Sequence, residues 1–455
     1  MSAIITSNFR TLNANNLLGD VADTATSLYI AIGKSDAWSS SLSVTLDGAA
    51  PTPADSLVEV NDLWQNLIAL KRITSSDVIN ICPRHDWVSG NVYVAWDDTD
   101  SDIFAKQFYC ITDEFKVFKC LRAGTGASTY KPSNASSTSP FSFADGYTWK
   151  YMFTLAVTDA SKFLTADYIP VKTVPYAPTF ATPDLETKYD YQQACITNTN
   201  GKIYRYVVEN GGTGYTSAPS VTVHGDGTGA AAIATVSGGA ITSVTVNTGG
   251  SGFDVNAGSN YNVAYLTISG PGTGAIVRAV LSPYNGHGSD PVSELGGFYV
   301  GIAAQFQYAD GSGDFIVDNT FRQIALIRNP YNYGTTTIAT ATTRSALKAL
   351  TYTPGGTPPA VGDYITGGTS GTIAFVDAID VNAGTIKYHQ NDKTGYGSFA
   401  NGESITGHLG GSGTVISSVT PEVQAFSGSV VFVDNRDPIV RSASQIEDVK
   451  MIIEF

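Results

Sequence analysis

Apolar and polar residues alternate with a two-residue period along much of this chain, most cleanly at 449–455. There Val449, Met451, Ile453 and Phe455 fall on one side of an extended strand, and Lys450, Ile452 and Glu454 on the other. Ile452 between two charged residues suggests that this second face is partly covered too. Alternation, or a short run of β-branched and aromatic residues, predicts further strands at 27–32, 92–96, 115–121, 149–157, 321–327 and 429–433. Helical spacing is rare. Ser7 or Asn8 can cap a short helix that Gly19 stops. Leu63, Trp64, Leu67, Ile68 and Lys71 predict a second from about Asn61, ended by Thr74-Ser-Ser-Asp77, and Ala160 to Leu164 a third.

Two stretches repeat themselves. Gly211-Gly-Thr-Gly-Tyr215 returns as Gly249-Gly-Ser-Gly-Phe253, and Val221-Thr-Val-His-Gly-Asp-Gly-Thr-Gly-Ala230 returns as Leu266-Thr-Ile-Ser-Gly-Pro-Gly-Thr-Gly-Ala275. Further on, Val361-Gly-Asp-Tyr-Ile-Thr-Gly367 matches Asn401-Gly-Glu-Ser-Ile-Thr-Gly407, and Ser370-Gly-Thr372 matches Ser412-Gly-Thr414. Such glycine density defeats a helix and suits short antiparallel strands joined by tight turns. Two copies are too few for a solenoid or a propeller. Each stretch is therefore expected to be a compact β module with pseudo-symmetric halves, looped out of a host. The expected division is host residues 1–200, a Gly-rich module at 201–283, host at 284–352, a second module at 353–422, and host strands at 423–455. The fold class is mainly β: β-sandwich-like host domains with a few peripheral helices, plus two small Gly-rich antiparallel β insert modules.

Composition narrows the function. At 455 residues the chain is long enough for two to four domains. Charged residues make up only 15%, yet 24 Tyr and 20 Phe argue against disorder. A net charge of -14 without any Lys/Arg-rich run argues against a binder of nucleic-acid phosphates. The first ten residues lack the basic and apolar regions of a signal peptide, and no apolar run of about 18 residues predicts a membrane span. Cys82, Cys110, Cys120 and Cys195 are too sparse for a disulfide framework and are expected as buried apolar groups in a protein made in a reducing cytoplasm.

Each candidate for chemistry has a plainer reading. Cys82-Pro-Arg-His85 has the spacing of half a metal site with no second half, and Asp98-Thr-Asp-Ser-Asp102 lacks the glycine and glutamate that complete a calcium loop. The first reads as a turn after a strand, the second as a solvated acidic turn. Gly225-Asp-Gly-Thr-Gly229 has no following Lys-Ser/Thr and reads as a hairpin turn rather than a phosphate loop. His287-Gly-Ser-Asp290 gathers three triad residue types, but neighbours in one loop cannot line up as nucleophile, base and orienter. No catalytic residue, metal or cofactor is expected. The remaining candidates are Tyr215, Phe253 and Tyr261, aromatic rings following or near glycine turns, read as contacts for a partner or a glycan if exposed and as core if packed under the turns.

With the modules set aside, the host segments form an ordered series. It runs through Asn8-Phe-Arg-Thr11, Tyr29-Ile-Ala-Ile-Gly-Lys-Ser-Asp-Ala-Trp38, Asp77-Val-Ile-Asn-Ile-Cys-Pro-Arg-His-Asp-Trp87 and Val117-Phe-Lys-Cys-Leu121. Asp145-Gly-Tyr-Thr-Trp-Lys-Tyr-Met-Phe153, Thr320-Phe-Arg-Gln-Ile-Ala-Leu-Ile-Arg-Asn-Pro330 and Asn435-Arg-Asp-Pro-Ile-Val440 follow, then Gln445-Ile-Glu-Asp-Val-Lys-Met-Ile-Ile-Glu-Phe455. This series resembles the homodimeric baseplate wedge subunit of T-even-like contractile-tailed bacteriophages. The resemblance covers roughly the 300 host residues and neither Gly-rich module. It implies a mostly β, non-enzymatic structural subunit of the virion's tail baseplate, bound to itself as a homodimer and to other wedge subunits, with no nucleic acid and no membrane insertion. The alternative is a receptor- or glycan-binding tail or fibre-associated protein.

Overall fold

The computed structural model describes residues 4–39, 41–42, 47–135, 137–178, 183–247, 257–307, 315–442 and 445–455. Strands hold 41% of the chain and helices 14%, so the fold is mainly β as expected. The chain divides into two compact units, one of residues 1–15, 79–301 and 452–455, the other of residues 16–78 and 302–451. The strands Val78–Pro83, Tyr299–Phe306 and Glu447–Glu454 each pass from one unit to the other along the chain.

In the first unit, Lys116–Arg122 pairs antiparallel with Tyr109–Ile111 on one side and Thr148–Thr154 on the other. Alternation sorts this sheet into two apolar clusters. Val117, Met152 and Phe153 pack with Phe108 and Ile111, whereas Phe118, Cys120, Trp149 and Tyr151 pack with Tyr93 and Tyr147. Strands at 115–121 and 149–157 are therefore found, the second ending at Thr154 because Val157–Phe163 turns helical. Residues 92–96 differ from expectation. Tyr93 and Ala95 are buried, and Val92 and Val94 are not, as in a strand. Their backbone bonds go singly to Gln107 and Cys120, so no regular ladder forms. A 17-residue helix, Pro183–Thr199, has no counterpart in the apolar pattern because its buried positions include Gln192, Cys195 and Thr199.

The first Gly-rich module belongs to this unit. Its repeated strands pair with each other: Val221, Thr222 and Val223 lie opposite Ile268, Thr267 and Leu266, a register symmetric about the two threonines. The turn at Gly238-Gly239, both at positive φ, closes a hairpin between Ala232–Ser237 and Ala240–Val246. Gly225–Gly229 is a turn but not a hairpin, because the strands on its two sides pair with 264–269 and 257–259 instead. The repeated Gly249–Phe253 lies outside the described residues.

In the second unit, Leu28–Gly33 is the centre of a five-stranded antiparallel sheet, between Leu67–Ile73 and Asn319–Arg328, with Thr343–Ser345 and Ser429–Arg441 at its edges. The expected helix from Asn61 to Lys71 is corrected. The helix is Leu57–Asn66, and the strand starts at Leu67. Leu67, Ile68, Ala69 and Leu70 are all buried, and a strand covered on both faces shows a continuous apolar run that periodicity cannot tell from a helix. The N-terminal helix, Ser7–Ala22, runs past Gly19.

The second module is a closed six-stranded antiparallel barrel from Lys348 to Val419. Its two copies also pair symmetrically, Ile365 with Gly407, Thr366 with Thr406 and Gly367 with Ile405. The acid of each copy secures the turn of the other. Glu403 accepts from the backbone N–H of Thr369 and Ser370, and Asp363 from that of Leu409. Closure leaves no open edge on a module this small. Leu350, Tyr352, Ile365, Val376, Ile386 and Val415 fill the interior.

Candidate functional site

The three aromatic candidates come first. Tyr215 and Tyr261 are only 4% and 5% exposed, inside the apolar cluster of the first module. A Cβ added to Gly272 would come within 2.4 Å of the Tyr215 ring, and one on Gly227 equally close to Tyr261. Each ring thus lies flat on a glycine, and neither offers a face to a partner or a glycan. Gly227 and Gly272 are equivalent positions of the repeat, so Tyr261 and Tyr215 take matching places over them. Phe253 lies outside the described residues.

The loop motifs resolve into turns. Ser289 Oγ donates to the Gly286 carbonyl and Asp290 caps the short helix Pro291–Glu294, so neither serves His287. In the acidic turn, Asp100 pairs with Lys106, while Asp97 holds both Arg205 at 2.9 Å and Arg278 at 2.6 Å. That turn fastens the two bordering strands of the first module to its host and is not simply solvated. Among the described residues, no group of three or more His, Cys, Asp or Glu is placed to hold a metal ion. All four cysteines are buried and free.

Ionisable residues gather instead in two buried clusters that the motifs did not signal. In the first unit, Lys119 and Lys150 stand opposite each other on paired strands. Lys119 Nζ lies 2.9 Å from Glu294 and 3.7 Å from the centre of the Trp96 ring. Glu294 also accepts the backbone N–H of Gly288 and Asp290, and His287 Nδ1 lies 3.8 Å from it. Lys150 Nζ donates to the Tyr151 carbonyl, Tyr191 Oη and Cys195 Sγ. Burial, helped by the nearby charge of Lys119, pushes the His287 imidazolium down to about 4. Burial alone would raise the Glu294 carboxyl, but Lys119 and His287 together outweigh it and hold the group at about 2.

In the second unit the cluster joins the barrel to the five-stranded sheet. Asp36 lies 2.9 Å from Lys34 and 2.6 Å from Lys393, while His389 Nδ1 lies 2.9 Å from Asp377. His389 Nε2 is 3.7 Å from Asp36, and Asn391 bridges Asp36 and Asn66. Ser35 Oγ donates to Asp377. Asp36, Asp377 and His389 are 1%, 0% and 4% exposed. Burial alone would push the His389 imidazolium down, but Asp377 and Asp36 outweigh it and raise its pKa to about 9. The hydrogen bond and charge of His389, with Lys34 and Lys393, likewise overcome burial and hold Asp36 far below the usual carboxylate range.

Catalytic groups work in clefts where substrate can reach them. Both clusters are buried, each charge facing a partner within the protein, with His389 also bordering a cavity of about 180 Å³, and they act as ties between strands and between module and host. The class of protein so defined is a β scaffold cross-braced by buried ion pairs. Residues 3–115 match the family described as Bacteriophage T4, Gp8. The baseplate wedge protein gp8 of Enterobacteria phage T4 is 28% identical over 203 residues, taking in 37% of this chain and 60% of that protein. The aligned part thus spans under two thirds of that relative. The resemblance carried by the host segments is to a baseplate wedge subunit of T4-like phages, and its setting is the tail baseplate of the virion.

Proposed function

We propose that this chain is a structural subunit of a phage baseplate wedge, which forms a homodimer and holds neighbouring wedge proteins together, and that it has no catalytic activity. The observation that carries this is the match of residues 3–115 and of the wider 203-residue alignment to a baseplate wedge protein. The two buried charge clusters support it, since each spends its ionisable groups on locking strands together. The Gly-rich module and the barrel add surface to the host. Sedimentation or light scattering at micromolar concentration tests the dimer. A mass of twice the 47.9 kDa chain is expected, and a lone monomer throughout that range contradicts it.

A further inference from the structure

The strand Leu28–Gly33 leads directly into Lys34, whose backbone has φ 60°, in the left-handed region that only glycine enters freely. A close approach accompanies it. Lys34 N–H donates to the Asn66 carbonyl at 2.8 Å, and a Cβ added to Gly33 would come within 2.8 Å of that same oxygen. The end of the strand is thus clamped to the end of the helix Leu57–Asn66, and the two side chains meet. Lys34 Nζ lies 3.3 Å from Asn66 Oδ1, which places it within about 4.5 Å of the amide carbon, one C=O bond further on. Lys34 and Asn66 are 4% and 0% exposed. Three more side chains close around the pair. Asp36 lies 2.9 Å from Lys34 Nζ. Asn391 Nδ2 donates to Asn66 Oδ1 at 2.7 Å, and Asp62 Oδ1 accepts from Asn66 Nδ2 at 2.9 Å.

We propose that Lys34 and Asn66 join in an isopeptide bond within the folded chain. Lys34 Nζ is the nucleophile and Asn66 Cγ the carbon it attacks. Asn391 Nδ2 already stands where negative charge develops on Oδ1, and Asp62 stands at the nitrogen that leaves. Burial raises the Asp62 carboxyl above its ordinary value, as suits a proton donor. The step balances without a co-reactant. Asp36 takes a proton from the Lys34 ammonium, and the free amine forms the Nζ–Cγ bond. Asp62 protonates Nδ2 as the Cγ–Nδ2 bond breaks, and the second proton shed by Nζ restores the acid. Ammonia leaves with the proton held on Asp36, as ammonium, and nothing is oxidised or reduced. Charge favours the product. Two buried acids, Asp36 and Asp377, face three cations, Lys34, Lys393 and His389. Removing the Lys34 charge leaves Lys393 with Asp36 and His389 with Asp377. Holding amine and amide together in one buried frame supplies the proximity that the same groups lack in water. The bond forms once per chain, a maturation step that does not depend on the wedge-subunit reading.

Mass spectrometry of the denatured full chain tests it. The mass should fall below that of the sequence by one ammonia. Trypsin should leave residues 11–71 as one peptide, uncut after Lys34, because these residues hold no other Lys or Arg before Lys71. A protease that cuts before aspartate should leave the pieces carrying Lys34 and Asn66 joined. Asp62→Asn should stay folded by circular dichroism yet keep its full mass and an open tryptic site at Lys34. A wild-type chain at its full sequence mass overturns the proposal, and that reading decides even where a variant fails to fold. Loss of ammonia with trypsin still cutting after Lys34, the mark of a succinimide, overturns it too. Undiminished linkage in Asp62→Asn would overturn the reaction as drawn.

Discussion

His287 and His389 are both buried, yet their surroundings drive them in opposite directions, and this makes the two clusters separable by pH. An unfolded histidine titrates near 6.5. His287 is held at about 4, so it is neutral in the fold and its contribution is present above about pH 6.5 and lost as pH falls toward 4. His389 is raised to about 9, so its contribution is present below about pH 6.5 and lost as pH rises through 9. The thermal midpoint should therefore decline on both sides of a maximum near pH 6.5. His389→Gln should flatten the alkaline limb and His287→Gln the part of the acid limb between pH 6.5 and 4. If His389→Gln leaves the alkaline limb unchanged, the charged pairing of His389 with Asp377 and Asp36 is wrong. Neither cluster was legible in the sequence, because its members are remote. Asp36 and Lys393 stand 357 residues apart, and no spacing rule joins them.

The elements best read from sequence are those whose signals are local. The repeats predicted short β strands between glycine turns, and strands are found there; that the two copies in each stretch pair with each other about matching threonines is an added finding of the structure. The 449–455 alternation also holds: Met451 is buried, Val449 and Ile453 are partly so, and Lys450 and Glu454 are exposed. Ile452 is 38% exposed, so the second face is less covered than its apolar character suggested. The misreadings came where burial is complete or polar. Leu67–Ile73 shows no alternation because both faces are covered, and Pro183–Thr199 hides its helix behind buried Gln192 and Thr199. Two predictions belong here. The Arg10 side chain lies 2.5 Å from Glu454 and over the Phe298 ring, and the Phe455 N–H donates to the Phe298 carbonyl. Deleting residues 451–455 removes Glu454, Phe455 and the buried Met451, and should lower stability by several kcal/mol, about 2–5 for a buried methionine alone. An unchanged thermal midpoint would exclude the C-terminal strand as a core element. The second concerns the barrel. Replacing 354–421 by a short linker should not be neutral, because it strips Asp36 of Lys393 and His389. Losing one partner of a buried pair costs about 3–5 kcal/mol. The deletion should therefore be destabilised and partly rescued by Asp36→Asn, and a deletion as stable as the full chain would refute the tie.

At the scale of the whole molecule, low charge, a mainly β fold and ionisable groups spent on internal ties suit a protein whose task is to hold a shape. Its net charge of -14 sits on a surface with several exposed apolar side chains, among them Phe9, Leu12 and Tyr284. The wedge resemblance accounts for part of the chain, and the barrel and Gly-rich module lie largely beyond residues 3–115, where the family match ends. The most direct test of the wedge-subunit account is a reconstruction of the intact virion's tail with this chain carrying a short tag in an exposed loop. Tag density repeating around the baseplate, within the wedges, is the predicted result. Tag density confined to the distal fibres, or a virion that assembles an infective tail without this chain, would contradict it.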